Sequence, residues 1–139
     1  MWGARSSLRL VAKHGDGLLA SLYNTTPERF GRNLQLVLDD VRAAGRDAGS
    51  FANALATGWM YITESPNEAE RILKEVLGPT VKRPVEELRG LSLPIGPAQV
   101  CAERLAAFAR AGAERVFVWP LADPVRQLEL FRERVTPQM

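Results

Sequence analysis

The first eight residues, Met1-Trp2-Gly3-Ala4-Arg5-Ser6-Ser7-Leu8, run a small-residue turn straight into a helix with no strand before it. In parallel α/β folds such a turn follows a β-strand, and the start of the helix it opens is where an anionic group commonly sits. The chain therefore reads as the later part of a larger α/β domain. Met1 standing directly before Trp2 leads us to expect a shortened reading frame.

The rest of the chain alternates short apolar runs with amphipathic stretches. Leu8, Val11 and Ala12 mark a helix face that ends near His14, where Gly15-Asp16-Gly17 supplies a helix terminus and a tight turn. Leu18 to Tyr23 is a brief apolar run bounded by turn residues, the pattern of a buried strand. Thr25-Thr26-Pro27-Glu28 then opens a helix with a threonine cap, proline at the first position and an acid in the first turn. Phe30, Leu34, Val37, Leu38 and Val41 keep one apolar stripe until Gly45.

The pattern repeats with a strand over Phe51 to Thr63 and a helix capped by Ser65-Pro66-Asn67-Glu68 that ends at Gly78-Pro79. A long connection from Thr80 to Ile95 holds a possible single turn at Val85 to Leu88. Gly96-Pro97 starts the next helix, Gly112 stops it, and Arg115-Val116-Phe117-Val118-Trp119 is a compact strand. Asp123-Pro124 caps a last helix with Val125, Leu128, Phe131 and Val135 on one face.

Strands alternating with helices, and no clear hairpin signal, predict βαβ units and a parallel sheet. About three full parallel strands with flanking helices cannot close a barrel, whose eight-stranded form needs roughly 250 residues. Something else must cover the open edge.

Composition bounds the function. At 139 residues, 46% hydrophobic and 24% charged, the chain is large enough for one core and too small for two, one domain or a piece of one, and it reads as a partial domain over 1–139. With 18 basic against 16 acidic residues, the net charge of +2 is too small and too interspersed to be a nucleic-acid footprint. Cys101 is the single cysteine, which excludes an internal disulfide and a multi-cysteine metal site; a reducing compartment, the cytoplasm, is the expectation. No apolar run approaches a membrane span, and neither a signal peptide nor a membrane partner is expected.

The run Trp2 to Leu19, with its glycine and serine turn, the helix Leu8-Arg9-Leu10-Val11-Ala12-Lys13 and then Gly15-Asp16-Gly17, resembles the middle segment of the luciferase-like flavin monooxygenases. Tyr23-Asn24-Thr25-Thr26-Pro27-Glu28, Asn53 to Thr57, Glu68-Ala69-Glu70-Arg71 and Arg115 to Leu121 look like later stations of the same family, in order. The resemblance implies the C-terminal half of a (β/α)8 TIM barrel. It also implies an oxidoreductase in which reduced flavin (FMN) activates oxygen, or a deazaflavin passes hydride, to oxidise an organic small molecule.

By the same resemblance the turn before the first helix binds the cofactor phosphate, which places the candidates at Gly3, Ala4, Ser6 and Ser7. The physics agrees: free amides at a helix start, small residues and two adjacent hydroxyls suit a phosphate, and Arg5 adds charge. Ala4 departs from the family, which commonly has serine there. The competing reading is that Ser6 and Ser7 only cap the helix.

Trp119, with Trp59 and Tyr61, lies toward a strand end, where an aromatic either borders a ring cofactor or fills the core. Tyr23 and Asn24 end the first strand on the face where barrel enzymes place their sites, so they are the substrate-side candidates. His14, at a helix C-terminus beside Lys13, reads as structural, as do Asp16 in its turn and Cys101 within an amphipathic helix. No Ser/His/Asp set or metal cluster is present, and a catalytic residue is not assigned. A flavin enzyme needs neither, since the cofactor carries the chemistry.

The alternative function is a non-catalytic half-barrel remnant or interaction module. On either reading the chain is expected to associate, as a homo-oligomer or with a missing barrel half, because unpaired strand edges and apolar faces are not left open.

Overall fold

The computed structural model describes residues 4–139. Helix α1 (Arg5–His14) leads into strand β1 (Gly17–Ser21), and helix α2 (Pro27–Ala43) leads into β2 (Ala52–Ile62). Helices α3 (Pro66–Ile72), α4 (Gly78–Val81) and α5 (Val85–Arg89) precede the short β3 (Ile95–Gly96). Helix α6 (Ala98–Arg110), strand β4 (Val116–Pro120) and helix α7 (Pro124–Leu130) complete the order.

All strand pairing is parallel and all of it runs through β2. Gly17 to Ser21 pair with Ala52 to Ala56 on one side. Leu55 pairs with Val116, and Gly58 to Met60 pair with Val118 to Pro120. Because Leu55 faces both Ala20 and Val116, β1 and β4 must flank β2 on opposite sides. The three full strands expected from the sequence therefore stand in the row β1-β2-β4. The two-residue β3 is clipped to the far end of β2, at Tyr61 and Ile62.

The side chains of these strands alternate between two faces. Leu18, Ala20, Leu55, Gly58 and Met60 turn toward the helices and are buried. They meet the α2 stripe of Phe30, Leu34, Val37 and Val41 and the α6 row of Cys101, Leu105 and Phe108. Leu38, expected in that stripe, sits half-buried at its edge. Phe30 and Phe108 lock the two helices through an edge-to-face contact with centroids 6.3 Å apart. The other face is open: Leu19 is 60% exposed, Phe117 52% and Trp119 41%.

Glycine is required where backbones touch. A Cβ on Gly17 would meet the Ala52 carbonyl oxygen at 2.6 Å, so β1 could not draw up to β2 with any other residue. Gly15, by contrast, ends α1 in an extended conformation at φ −90°, not in the left-handed turn usual for a helix-ending glycine.

Three local expectations are corrected. Gly78-Pro79 does not end the third helical segment: it passes through a wide π-type turn over Leu73–Leu77 into α4, and Lys82 in the left-handed conformation ends it. The wider turn accommodates the missing proline N–H, and the Thr80 hydroxyl donates to the Val76 carbonyl at 2.6 Å. Gly96-Pro97 forms the short strand and the cap, with α6 beginning at Ala98. Asp123 does not cap α7 with its side chain; it sits at φ 44° and offers only its backbone carbonyl, to the Gln127 N–H.

Gln127, on α7, takes the place of a strand. Its side chain is buried and accepts from the Ile62 N–H at 2.6 Å while donating to the Ile62 carbonyl at 3.1 Å. Asn53 does similar work at the start of β2, accepting from the Glu114 N–H at 3.0 Å and donating to the Gly112 carbonyl at 3.1 Å. No described helix is long and apolar enough to cross a membrane.

Replacing Gln127 by alanine leaves both backbone groups of Ile62 buried without partners. The expected loss is on the order of 2–4 kcal/mol, read from urea unfolding. A variant as stable as the parent would mean that this end of β2 is solvated.

Candidate functional site

Helices in this fold run back against the strands, so each helix N-terminus lies at the C-terminal end of the sheet. Helix α1 ends two residues before β1 begins, which puts its head, Ala4 and Arg5, at that same end. Ser6 and Ser7 lie inside the first turn of α1. Ala4 occupies the cap position at ψ 144°, and its methyl side chain makes no cap bond. Gly3 lies outside the described residues.

Arg5 is engaged elsewhere. Its guanidinium grips both carboxylate oxygens of Asp40 on α2, one at 2.7 Å, which ties the head of α1 to its neighbour. The arginine holds the Asp40 carboxyl below the usual carboxylate range. One buried polar atom nearby is orphaned: the side-chain nitrogen of Asn33 has no partner among the described residues. Asn33 precedes Asp40 by two helical turns and so shares the α2 flank that meets α1.

Tyr23 and Asn24 sit in a single 3-10 turn, Leu22–Asn24, directly after β1. With Thr25, Thr26, Arg29, Arg83 and Leu91 they line a cleft of about 520 Å³. Arg83 donates to the Tyr23 hydroxyl at 3.2 Å, and its guanidinium carbon lies 5.4 Å from the centre of the Tyr23 ring. Thr26 caps α2 by accepting from the Arg29 N–H at 3.2 Å.

Between this cleft and the open sheet face lies an irregularity in β2. Thr57 adopts φ 53°, a conformation a β-branched residue takes only when its surroundings hold it. Its hydroxyl meets that of Ser21 at 2.6 Å and lies 3.4 Å from the Tyr23 N–H. The bulge puts Trp59 on the open face with Leu19, Phe117 and Trp119, while Tyr61, on the same side of the strand, is buried. Trp59 and Trp119, paired in register, contact edge to face with centroids 4.9 Å apart. Burial and the adjacent Glu68 carboxylate, which accepts from its hydroxyl at 3.1 Å, both push the Tyr61 phenol up.

The structure thus gathers Tyr23 and Asn24 on the cleft and joins Trp119 to Trp59, with Ser6 and Ser7 heading the preceding helix. Reasoning from sequence missed Ser21, Thr57, Arg29 and Arg83. Only Thr57 carried a local signal, a hydroxyl before Gly58 inside an otherwise apolar strand, the mark of a possible bulge. Among the described residues no group of three potential metal ligands occurs. His14 is exposed, and Asp16 does no more than meet Arg46 at 3.4 Å.

At the level of sequence no family model and no curated protein matches the chain. At the level of structure the likeness is clear. An F420-dependent secondary alcohol dehydrogenase, solved with an F420–acetone adduct, superposes on 97% of this chain with a TM-score of 0.78 at 14% identity. The riboflavin lyase RcaE, solved with modified FMN and riboflavin, matches 97% with a TM-score of 0.67 at 12% identity. The coenzyme F420-dependent tetrahydromethanopterin reductase of Methanopyrus kandleri matches 97% with a TM-score of 0.65 at 14% identity.

These proteins are of the luciferase-like kind that the sequence resembles, and the chain has their fold. It spans 46%, 40% and 48% of their respective lengths. A parallel sheet of this size with its flanking helices is what half of an eight-stranded barrel contains.

Cys101 stands apart from all of this. Burial pushes its thiol up to about 12, and its sulfur donates only to the Gly96 carbonyl. Ellman's reagent at mildly alkaline pH is expected to leave the folded protein unmodified and to titrate one thiol after denaturation. Rapid labelling of the native protein would show that α6 opens.

Proposed function

We infer that this chain is the phosphate-side and substrate-side part of a flavin- or deazaflavin-dependent oxidoreductase. The observation that carries the reading is the superposition of 97% of the chain on an F420-dependent dehydrogenase with a TM-score of 0.78. When bound, such a cofactor supplies the redox step itself, as reduced flavin activating oxygen or deazaflavin passing hydride.

The residues present suit that group. The head of α1 offers backbone amides of a helix start, flanked by small residues at Ala4, Ser6 and Ser7. The orphaned Asn33 amide is a further donor on the neighbouring flank of α2. Trp119 and Trp59 present aromatic edges on the open face, where a flat ring system would lie. Tyr23 and Asn24 stand on the substrate side. Arg5, spent on Asp40, positions the helix head and does not serve the phosphate.

Completion of the site requires a partner surface, either a second copy or a complementary barrel half. Leu19, Phe117 and Trp119 on the sheet, with Leu10 on α1 and Val125 on α7, are the apolar groups it would cover. Light scattering is expected to find an assembly larger than one chain; a clean monomer at micromolar concentration would remove this part of the proposal.

The cofactor reading is tested by titrating FMN and F420 into the protein and following cofactor and tryptophan fluorescence. Binding is expected to be weak, because much of the ring pocket lies outside this chain. Changing Ser6 and Ser7 together to alanine should cost about 1–3 kcal/mol of FMN affinity and leave riboflavin, which lacks the phosphate, unaffected. Changing Thr25 and Thr26 should lower stability more than affinity. No response to either cofactor would overturn the reading, and submicromolar FMN binding would mean that the ring pocket is already complete here.

A further inference from the structure

We propose that the cleft beyond β1 is an anion-binding subsite: it takes a small organic molecule carrying one carboxylate or phosphate group, anchored between Arg29 and Arg83. That this molecule is the substrate rests on the oxidoreductase reading above; the anion chemistry of the cleft does not.

Two guanidinium groups line the cleft, and no carboxylate does. Arg83 is fixed in place by three contacts, to the Tyr23 hydroxyl, over the Tyr23 ring, and to Glu87 at 3.1 Å. A guanidinium carries five N–H donors, so Arg83 keeps donors in hand after these contacts. Arg29 has no side-chain partner among the described residues. One cation already ordered and one still unpaired, converging on a single cleft, match an oxyanion that takes hydrogen bonds from both.

Three further features fit. Both arginines act at the positive end of the seventeen-residue helix α2, which adds to the attraction for negative charge. The volume, about 520 Å³, is that of a metabolite-sized ligand site and too small for a macromolecular surface. Leu91 and the Tyr23 ring give the cleft an apolar wall for the body of the molecule. The Tyr23 backbone also leads toward the Thr57 and Ser21 hydroxyls.

The test uses benzoate and phenyl phosphate as the two anionic probes and benzamide as the neutral counterpart, at fixed ionic strength. The readout is the backbone amide signals of Tyr23, Asn24 and Arg29 in NMR titrations. At least one anion should shift these signals saturably, and the tighter of the two identifies carboxylate or phosphate as the preferred group; benzamide should not shift them. Arg29→Gln should weaken the anion by about tenfold, the worth of one charge-assisted contact. Arg32→Gln, one turn along α2 and lining a different crevice, should leave affinity unchanged.

Equal shifts from benzamide, a silent Arg29→Gln, or an Arg32→Gln loss as large as that of Arg29→Gln would each overturn the proposal. If an anion binds as described while neither FMN nor F420 does, the cleft stands as an anion site and the oxidoreductase reading falls. The converse result keeps that reading and removes this one.

Discussion

The structure hangs on the hydrogen-bonding capacity of one strand. β2 carries β1 along one side and β4 along the other, holds β3 at its end, and is finished there by the Gln127 side chain. A parallel strand cannot be paired by its chain neighbour through a tight turn, so each of these contacts closes a long loop. The ordering cost is offset by burial on the helix-facing side, where Leu55, Met60 and Ile62 are almost wholly enclosed. Without β2 there would be no row of strands, and the cleft, the aromatic pair and the helix head would have no common frame.

That frame explains why the candidate site is spread over separate segments. The head of α1, the turn after β1, the bulge in β2 and the end of β4 each contribute a short piece, and parallel strands deliver all of them to one end of the sheet. Rigid pieces hold them there: Arg5, at the head of α1, reaches Asp40 in the last turn of α2, and Arg46, just past that helix, bonds the Ala12 and Gly15 carbonyls at the tail of α1. Both ends of α1 are thus pinned to the C-terminal part of α2.

Much of the fold was legible because the chain punctuates itself. Thr26-Pro27 and Ser65-Pro66 mark helix starts, and the structure uses both threonine and serine as caps. Gly112 ends α6 as read. What stayed hidden falls into two kinds. β3 is two residues long and has no periodicity to detect, and Pro79 misleads because a π-type turn absorbs it. The remainder depends on partners far apart in the chain: Gln127 and Ile62 are 65 residues apart, Arg83 and Tyr23 are 60, and Ser21 and Thr57 are 36. Spacing rules reach only a few turns, so Tyr23 and Asn24 could be placed near a site while the arginines that shape it could not.

The bulge at Thr57 sets more than a local bend. Before it, the even-numbered residues Ala54 and Ala56 look into the open side; after it, the odd-numbered Trp59 and Tyr61 do. One inserted residue therefore acts as a parity switch for the second half of the strand. The same strand without that single residue would turn both aromatics into the helix layer and bring Met60 and Ile62 out in their place. The aromatic wall of this site is thus written in the length of β2, and a comparison of related chains that tolerates a one-residue gap here would align the wrong face.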